Sequence, residues 1–456
     1  MQNTKQLAAS TISSTRAVKS SKCRSTATPS TQPKSSPSAS AARPKNSLPV
    51  GIAHTELRAL LIAGLLLAVL RPDHPAIEVG EDRLLSVDGP AKPLWESHLS
   101  ADPSNPNHLL VGVIQFDSPN GNDRTCVAWT SFDGGQHWIR RSLPVQCWGD
   151  PWGDILQDGS AIMVMLGHME GQEDNAFLFR SPDGGRTWPD TPLGLGAHRD
   201  HPMVIAQGNQ VYVVSAQGVR NSANQHRSTV SVVQSQDGGK TFSRPTRVIA
   251  SNAGYEATGP ALLSDGTFVV GFHDHHRQGS DKWLVRPRSW MLRSADQGRS
   301  LSEPLLISES CESRGGWPSM AVDGKDRLFW LCIAEKFNGV LVQRSDDRGE
   351  SWSEPLRLNR SETARTFTPS ITVNKDDVIG VSWYEIHDKN CFDVYFTASL
   401  DAGKTFLPEV RVSSATSCPD TPQNRGVFSD GLFHVVWSDA RSGIYQLRTA
   451  TVSVKH

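Results

Sequence analysis

The chain has 456 residues, with 46 Lys plus Arg against 47 Asp plus Glu, a formal net charge of -1. That balance leaves no basic footprint for nucleic acid, so no nucleic-acid partner is expected. The seven cysteines include no C-x-x-C and no Cys/His zinc spacing, so neither a metal nor a cofactor is expected.

Residues 1–55 are rich in Ser, Thr, Ala, Pro and Lys and poor in aromatic and branched apolar side chains. Such a segment cannot bury enough surface to offset chain entropy, and it reads as a disordered leader. Residues 56–72 centre on LRALLIAGLLLAVL, from Leu57 to Leu70, followed by Arg71 and Pro72. An apolar run of about a dozen residues is short for a bilayer span and suits a signal-peptide core. A membrane anchor through 57–70 is the alternative reading, and a buried core helix the plainest one. The first two place the protein outside the cytoplasm, secreted or periplasmic.

Residues 75–456 are organised by a repeat. SFDGGQHW from Ser131, SPDGGRTW from Ser181, SQDGGKTF from Ser235, SADQGRSL from Ser294, SDDRGESW from Ser345 and SLDAGKTF from Ser399 keep Ser, then Asp two residues on, then Gly two further on. Copies recur about every 50–60 residues, the range of propellers and arrays. In each, the Asp can accept backbone amides in a tight turn, the Gly can take positive φ, and the closing aromatic can fold under a hairpin. Each repeat opens on a polar-plus-Pro segment, such as DPW at Asp150, DHP at Asp200, TGP at Thr258 or FTP at Phe367. An apolar second strand follows, such as AIMVMLG from Ala161, QVYVVSA from Gln210 or VIGVSWY from Val378. Seven openings can be counted. The last repeat ends after IYQLRTATV, whereas IEVGEDRLLSV, from Ile77 to Val87, is spare at the other end.

Six cysteines fall within the repeats. Their equivalent positions suggest Cys126–Cys147 and Cys391–Cys418 disulfides, leaving Cys311–Cys332 by elimination. Such local pairs suit an oxidising compartment. Six buried free thiols are the alternative.

These segments resemble the Asp-box, or BNR repeat, of sialidases and related β-propellers. The resemblance implies an all-β fold: a propeller of four-stranded blades, seven by the repeat count or six as in sialidases. The spare N-terminal strand would complete the last blade, so that no long sheet edge is left open. In such a meander the clasp turns lie at one end. Residues just before the inner strands and just after the second strands then gather at the other end, around the channel mouth. Glu96, Asp150, Asp200, His201, Glu256, Arg365, Arg425, Tyr384, Glu385, Asp439 and Arg441 occupy those positions.

Sialidases hold a substrate carboxylate with three arginines, attack with a Tyr activated by Glu, and use an Asp as acid/base, an exception to the two-carboxylate scheme. By that resemblance Arg365, Arg425 and Arg441 bind substrate with Asp150, Asp200 and His201, and Tyr384, Glu385, Asp439 and Glu256 are the catalytic candidates. Tyr445 with Glu256 is a second nucleophile pair. Two departures stand against true sialidase activity. The Phe/Tyr-Arg-Ile-Pro motif is missing, its place reading PLWESHLSADP with Glu96 in it, and the seventh repeat exceeds the sialidase count. The clasp aspartates are scaffold. The histidines of HDHHR, from His273, fit a surface loop better than a metal site, and Trp148, Trp152 and Trp317 fit either sugar stacking or blade packing. The expected function is an exported, sialidase-like propeller acting on or binding glycans. The alternative is a non-catalytic propeller that serves as a glycan- or protein-binding platform.

Overall fold

The computed structural model describes residues 76–455, apart from 119–120, 122, 174, 221–225, 250–252, 279–281, 284–287, 313–318, 389, 420–426 and 430–432. The leader and the apolar segment 57–70 lie outside the described residues. No helix among the described residues is long and apolar enough to cross a membrane.

The described chain is all-β, in six antiparallel sheets built as sequential meanders. Strands Arg199–Gln207, Gln210–Arg220, His226–Ser235 and Thr246–Ile249 form one such sheet in that order. Arg365–Val373, Ile379–Ile386, Phe392–Ser399 and Val410–Arg411 form another. The largest sheet has seven strands and is two meanders sharing one long strand, Ile139–Ile155. The first half of that strand pairs with Arg124–Ser131 and the second half with Ala161–His168. Asp150-Pro151, which the sequence marks as a break, lies inside it at a bulge.

The spare N-terminal segment joins the C-terminal sheet. Ala76–Val79 pairs antiparallel with Gln446–Lys455, Ala76 opposite Lys455, and Arg83–Leu84 pairs with the same strand further along. Asp82 fixes the junction. Its carboxylate takes hydrogen bonds from the Arg448 guanidinium and the Ser414 hydroxyl and lies 3.0 Å from Arg441. This last sheet packs on the first one. Leu94 donates its N–H to the Tyr445 carbonyl, and Leu447 and Val436 share a core with Leu94, Leu109 and Trp129.

Register fixes which end of each sheet carries what. In the Arg199–Ile249 sheet, the clasp residue Ser235 lies opposite Val211, and Asp200 lies opposite Ala216. The Gly238 N–H bonds the Asn209 carbonyl in the turn between the first two strands. The clasp and Asp200 are therefore at opposite ends of the sheet, about 15–20 Å apart along the strand.

All six clasps have one geometry. The Ser hydroxyl bonds the Asp carboxylate and accepts the Gly N–H, as where Ser181 meets Asp183 at 2.7 Å and Gly185 at 2.7 Å. The carboxylate in turn takes the N–H of the residue four places on, Thr187 in this copy. Two successive left-handed residues shape the turn, Gly184 at φ 73° and Gly185 at φ 93°. A Cβ on Gly185 would lie 2.5 Å from the Thr130 hydroxyl on strand Arg124–Ser131, in the preceding meander of the same sheet. Hydrogen bonding outweighs burial and holds Asp133, Asp183, Asp296 and Asp347 down at about 2. These carboxylates are committed to the turns. The closing Trp138, Trp188, Phe242, Leu301, Trp352 and Phe406 pack against cores between sheets.

The three expected disulfides are present: Cys126–Cys147, Cys311–Cys332 and Cys391–Cys418. Such bridges fit an oxidising compartment. Replacing both Cys126 and Cys147 with Ser opens a link between residues 21 apart in the sequence and should lower unfolding stability by about 3 kcal/mol. Urea unfolding under oxidising conditions measures that loss.

Candidate functional site

The described candidate residues all lie at the sheet ends opposite the clasps. Tyr384 and Glu385 pair with Phe367 and Thr366, and Asp439 with Gln446, away from the clasp partners Ser399 and Ile379. Sharing an end is not convergence, and most of these side chains have other employment.

Tyr384 is buried between sheets. Its hydroxyl donates to the Ser438 carbonyl at 3.2 Å and accepts the Ser438 N–H at 3.0 Å. Burial pushes that phenol well above its usual range. Glu385, one residue on, is turned to the other side of the strand, where its carboxylate takes the Trp383 indole N–H at 3.4 Å. The two are not brought together. Asp439 is buried and ion-paired to Arg441 at 2.8 Å, with the Trp437 indole as a further donor. Arg441 also reaches Asp82, so this pair belongs to the junction with the N-terminal segment. Arg365 is exposed over the rings of Phe367 and Phe337, 4.9 and 5.8 Å from their centroids. Among the described residues it shares no bonding partner with Arg441. Arg425 and the Glu256 side chain lie outside the described residues, whereas Tyr445 is buried edge-on to Trp95. His273 is not a surface residue. It is buried, 3.1 Å from the Ser289 hydroxyl and edge-on to Trp330.

Asp150, Asp200 and His201 do converge. The His201 N–H donates to the Asp150 carboxylate at 3.2 Å, and the imidazole lies 3.8 Å from Asp150 and 3.6 Å from Asp200. Glu96, from the next inner strand, accepts the Asp150 N–H at 3.0 Å. Three neighbouring inner strands are thus linked carboxylate to amide. Asp150 and His201 side chains are 17% and 18% exposed, but Asp200 is 65% exposed, so the cluster opens to solvent on the Asp200 side. Burial raises the Asp150 carboxyl to about 6, helped by the neighbouring Glu96 and Asp200 and opposed by His201. One ligand atom from each of Asp150, Asp200 and His201 lies within 4.8 Å of the others, a donor set of the kind that also binds metal ions.

The backbone here is strained. Glu96 and Asp150 have φ of 55° and His201 of 48°, each at a bulge where the inner strand slips register. Gly259 and Thr368 occupy the same bulge in later repeats, at φ 44° and 39°. Left-handed conformations of non-glycine residues cost about 1–3 kcal/mol and collect at functional sites. The recurring Asp-Pro, His-Pro, Gly-Pro and Thr-Pro pairs were the available signal. They mark bulges within strands, not loops before them. Two residues before Asp150, Trp148 is 43% exposed, uncommon for a large aromatic among the described residues, and its ring lies nearly parallel to His168. Trp152 is instead stacked on His98 at 3.7 Å, and Trp317 lies outside the described residues.

A family model described as a BNR repeat-like domain matches residues 79–325 and 198–435, and the first match alone spans more than half of the chain. The chain belongs to the BNR repeat-like domain family. Its resemblance to the sialidase-like Asp-box superfamily is thereby borne out. Among solved structures, this BNR repeat-like protein is similar to one of unknown function from Dyadobacter fermentans DSM 18053, with a TM-score of 0.51 and 11% identity, over 83% of this chain and 99% of that one. A Hadza microbial sialidase matches with a TM-score of 0.46 and 12% identity, over 82% and 92%. An ulvan-lyase-type polysaccharide lyase matches with a TM-score of 0.49 and 13% identity, over 79% and 94%. At 11% identity the likeness to the Dyadobacter protein is one of fold alone. No curated protein matches the chain.

Proposed function

We propose that the BNR repeat-like chain is an exported seven-bladed β-propeller that acts on glycans at the end opposite its clasps, with Asp150, Asp200 and His201 as its centre. Supporting the ring are the Ala76–Val79 pairing with the last strand and the packing of the last sheet on the first. Supporting export are the three disulfides. The observation that carries the function is Asp150, raised to about 6 beside an exposed second carboxylate. Such a pair suits acid/base work on a glycosidic bond: with the two carboxylates offering oxygens within 4.8 Å of each other, Asp150 gives its proton to the leaving oxygen while the Asp200 carboxylate attacks the anomeric carbon, and a water that returns its proton to Asp150 then releases the sugar from Asp200. His201 holds the two carboxylates together, and Trp148 offers a face for a sugar ring.

The arginine trio of an exo-sialidase is not part of this reading, because Arg441 is committed to Asp439 and Asp82. A second reading is favoured by one observation: the Glu96 and Asp150 carboxylates both accept backbone N–H groups from adjacent strands. Carboxylates used as ties would make the same face a glycan-binding platform without turnover. A panel of neutral, uronate-containing and sialylated glycans, screened for both binding and product, separates the two. Turnover that is lost in Asp150→Asn supports the enzyme. Binding without product supports the platform, and neither result from the folded protein removes glycans from the account.

A further inference from the structure

Neighbours on a regular strand face opposite sides of the sheet. Asp200 and His201 escape that rule. Their inner strand, Arg199–Gln207, slips register between Asp200 and Met203, and His201 has φ of 48° there. The bulge sets the imidazole between two carboxylates, 3.8 Å from Asp150 on strand Ile139–Ile155 and 3.6 Å from Asp200. One donor atom from each of the three residues lies within 4.8 Å of the other two.

Those separations suit a metal ion. A zinc-class ion bonds imidazole nitrogen and carboxylate oxygen at about 2.0–2.2 Å, so it bridges two donors up to about 4 Å apart. Both imidazole–carboxylate separations fall inside that reach. Asp150 and His201 are held in place through the backbone, the Asp150 N–H on Glu96 and the His201 N–H on Asp150. Asp200 is 65% exposed, so its side chain is free to turn and close on an ion arriving from solvent. No enclosed cavity is needed, because the cluster is open on that side and three protein donors leave coordination positions for water. Charge acts in the same direction. Burial first, then Glu96 and Asp200, disfavour a bare negative charge on Asp150, with His201 opposing them, and a doubly charged cation would offset all three carboxylates at once. The donor types select the ion: two oxygens with one imidazole fit zinc, whereas calcium and magnesium call for six or more oxygens.

We propose that Asp150, Asp200 and His201 together bind one divalent ion of the zinc class, with water completing its coordination. No cysteine takes part, so the cysteine spacing that argues against zinc in the sequence has no bearing on this cluster. The site shares its residues with the glycan reading but not its chemistry. A bound ion engages both carboxylates, so the metal-loaded and glycan-cleaving states exclude each other.

Titration calorimetry and thermal unfolding of the untagged, chelator-stripped full chain at neutral pH, with zinc, magnesium or calcium chloride, test it. Zinc should bind saturably at one site per chain, with micromolar or tighter affinity, and raise Tm by several degrees. Magnesium and calcium should do neither. Asp200→Asn, a change at an exposed side chain, should keep the parent Tm in chelator and weaken zinc binding by at least about tenfold, no less than the loss of an outer-shell partner does. His201→Gln should abolish binding, and if that variant fails to fold, Asp200→Asn decides the matter. Crystals with zinc should show anomalous density between the three donors. No saturable zinc binding, an equal response to magnesium and calcium, unchanged zinc affinity in Asp200→Asn, or density at other histidines alone would each overturn the proposal. No glycan enters these measurements, so a protein that binds zinc and leaves every glycan intact upholds this site and sinks only the enzyme reading.

Discussion

Asp150→Asn should make the protein more stable at neutral pH while stripping it of activity on glycans. The sign follows from linkage. Asp150 is raised from 3.8 to about 6 in the fold, mainly by burial, so its contribution to stability is fully present below pH 3.8 and is lost as pH rises through 6. That difference corresponds to up to about 3 kcal/mol by pH 8. An amide cannot ionise, and its oxygen can still accept the His201 N–H. The variant should therefore match the parent near pH 4 and exceed it near pH 8, which denaturant unfolding at the two pH values measures. Turnover should fall about 10²–10⁴-fold, the usual contribution of a positioned proton donor. A variant that is more stable and still fully active would leave Asp150 as a strained tie and nothing more.

Asp82→Ala should be among the most damaging single changes at a residue outside the apolar core. Its side chain is 2% exposed and holds Arg448, Arg441 and Ser414 at once. Removing it strands the Arg448 guanidinium and leaves Arg441 with Asp439 alone at the junction between the N-terminal segment and the last sheet. Breaking a buried ion pair from one side costs about 3–5 kcal/mol. The loss should be visible as a drop in unfolding stability and as faster proteolysis near residues 76–84, where the strand pairing depends on the same anchor. Burial works against the Asp82 charge, but hydrogen bonds from Arg448 and Ser414 more than offset it and hold the carboxyl below 3.8. Its contribution is thus present above pH 3.8 and fades as pH falls through the lowered value, the reverse of Asp150. A loss under 1 kcal/mol with unchanged proteolysis would mean that this junction does little for the fold.

What the sequence disclosed was local, and what it hid was set between distant strands. The Ser-x-Asp-x-Gly turns, the second strands and the three cysteine pairs each depend on neighbours within about thirty residues, so pattern alone located them. The spare strand at Ile77 was legible because the last repeat lacked one. Tyr384 failed to join a site because strand alternation turned it between sheets, onto the Ser438 backbone. Arg441 and Asp439 were consumed by Asp82, a partner at the far end of the chain that no spacing rule reveals. Asp150 and His201 were placed at the correct end, but their contact depends on left-handed bulges in two adjacent inner strands. A dipeptide such as Asp-Pro hints at a break without saying that the strand continues through it.

Amide hydrogen exchange with and without the best ligand from the glycan panel tests most directly which end of the sheets does the work. Binding should slow exchange around residues 148–152 and 199–203 and leave the clasp turns, such as 181–188, unchanged. Protection confined to the clasp turns would reverse the assignment of scaffold and working face.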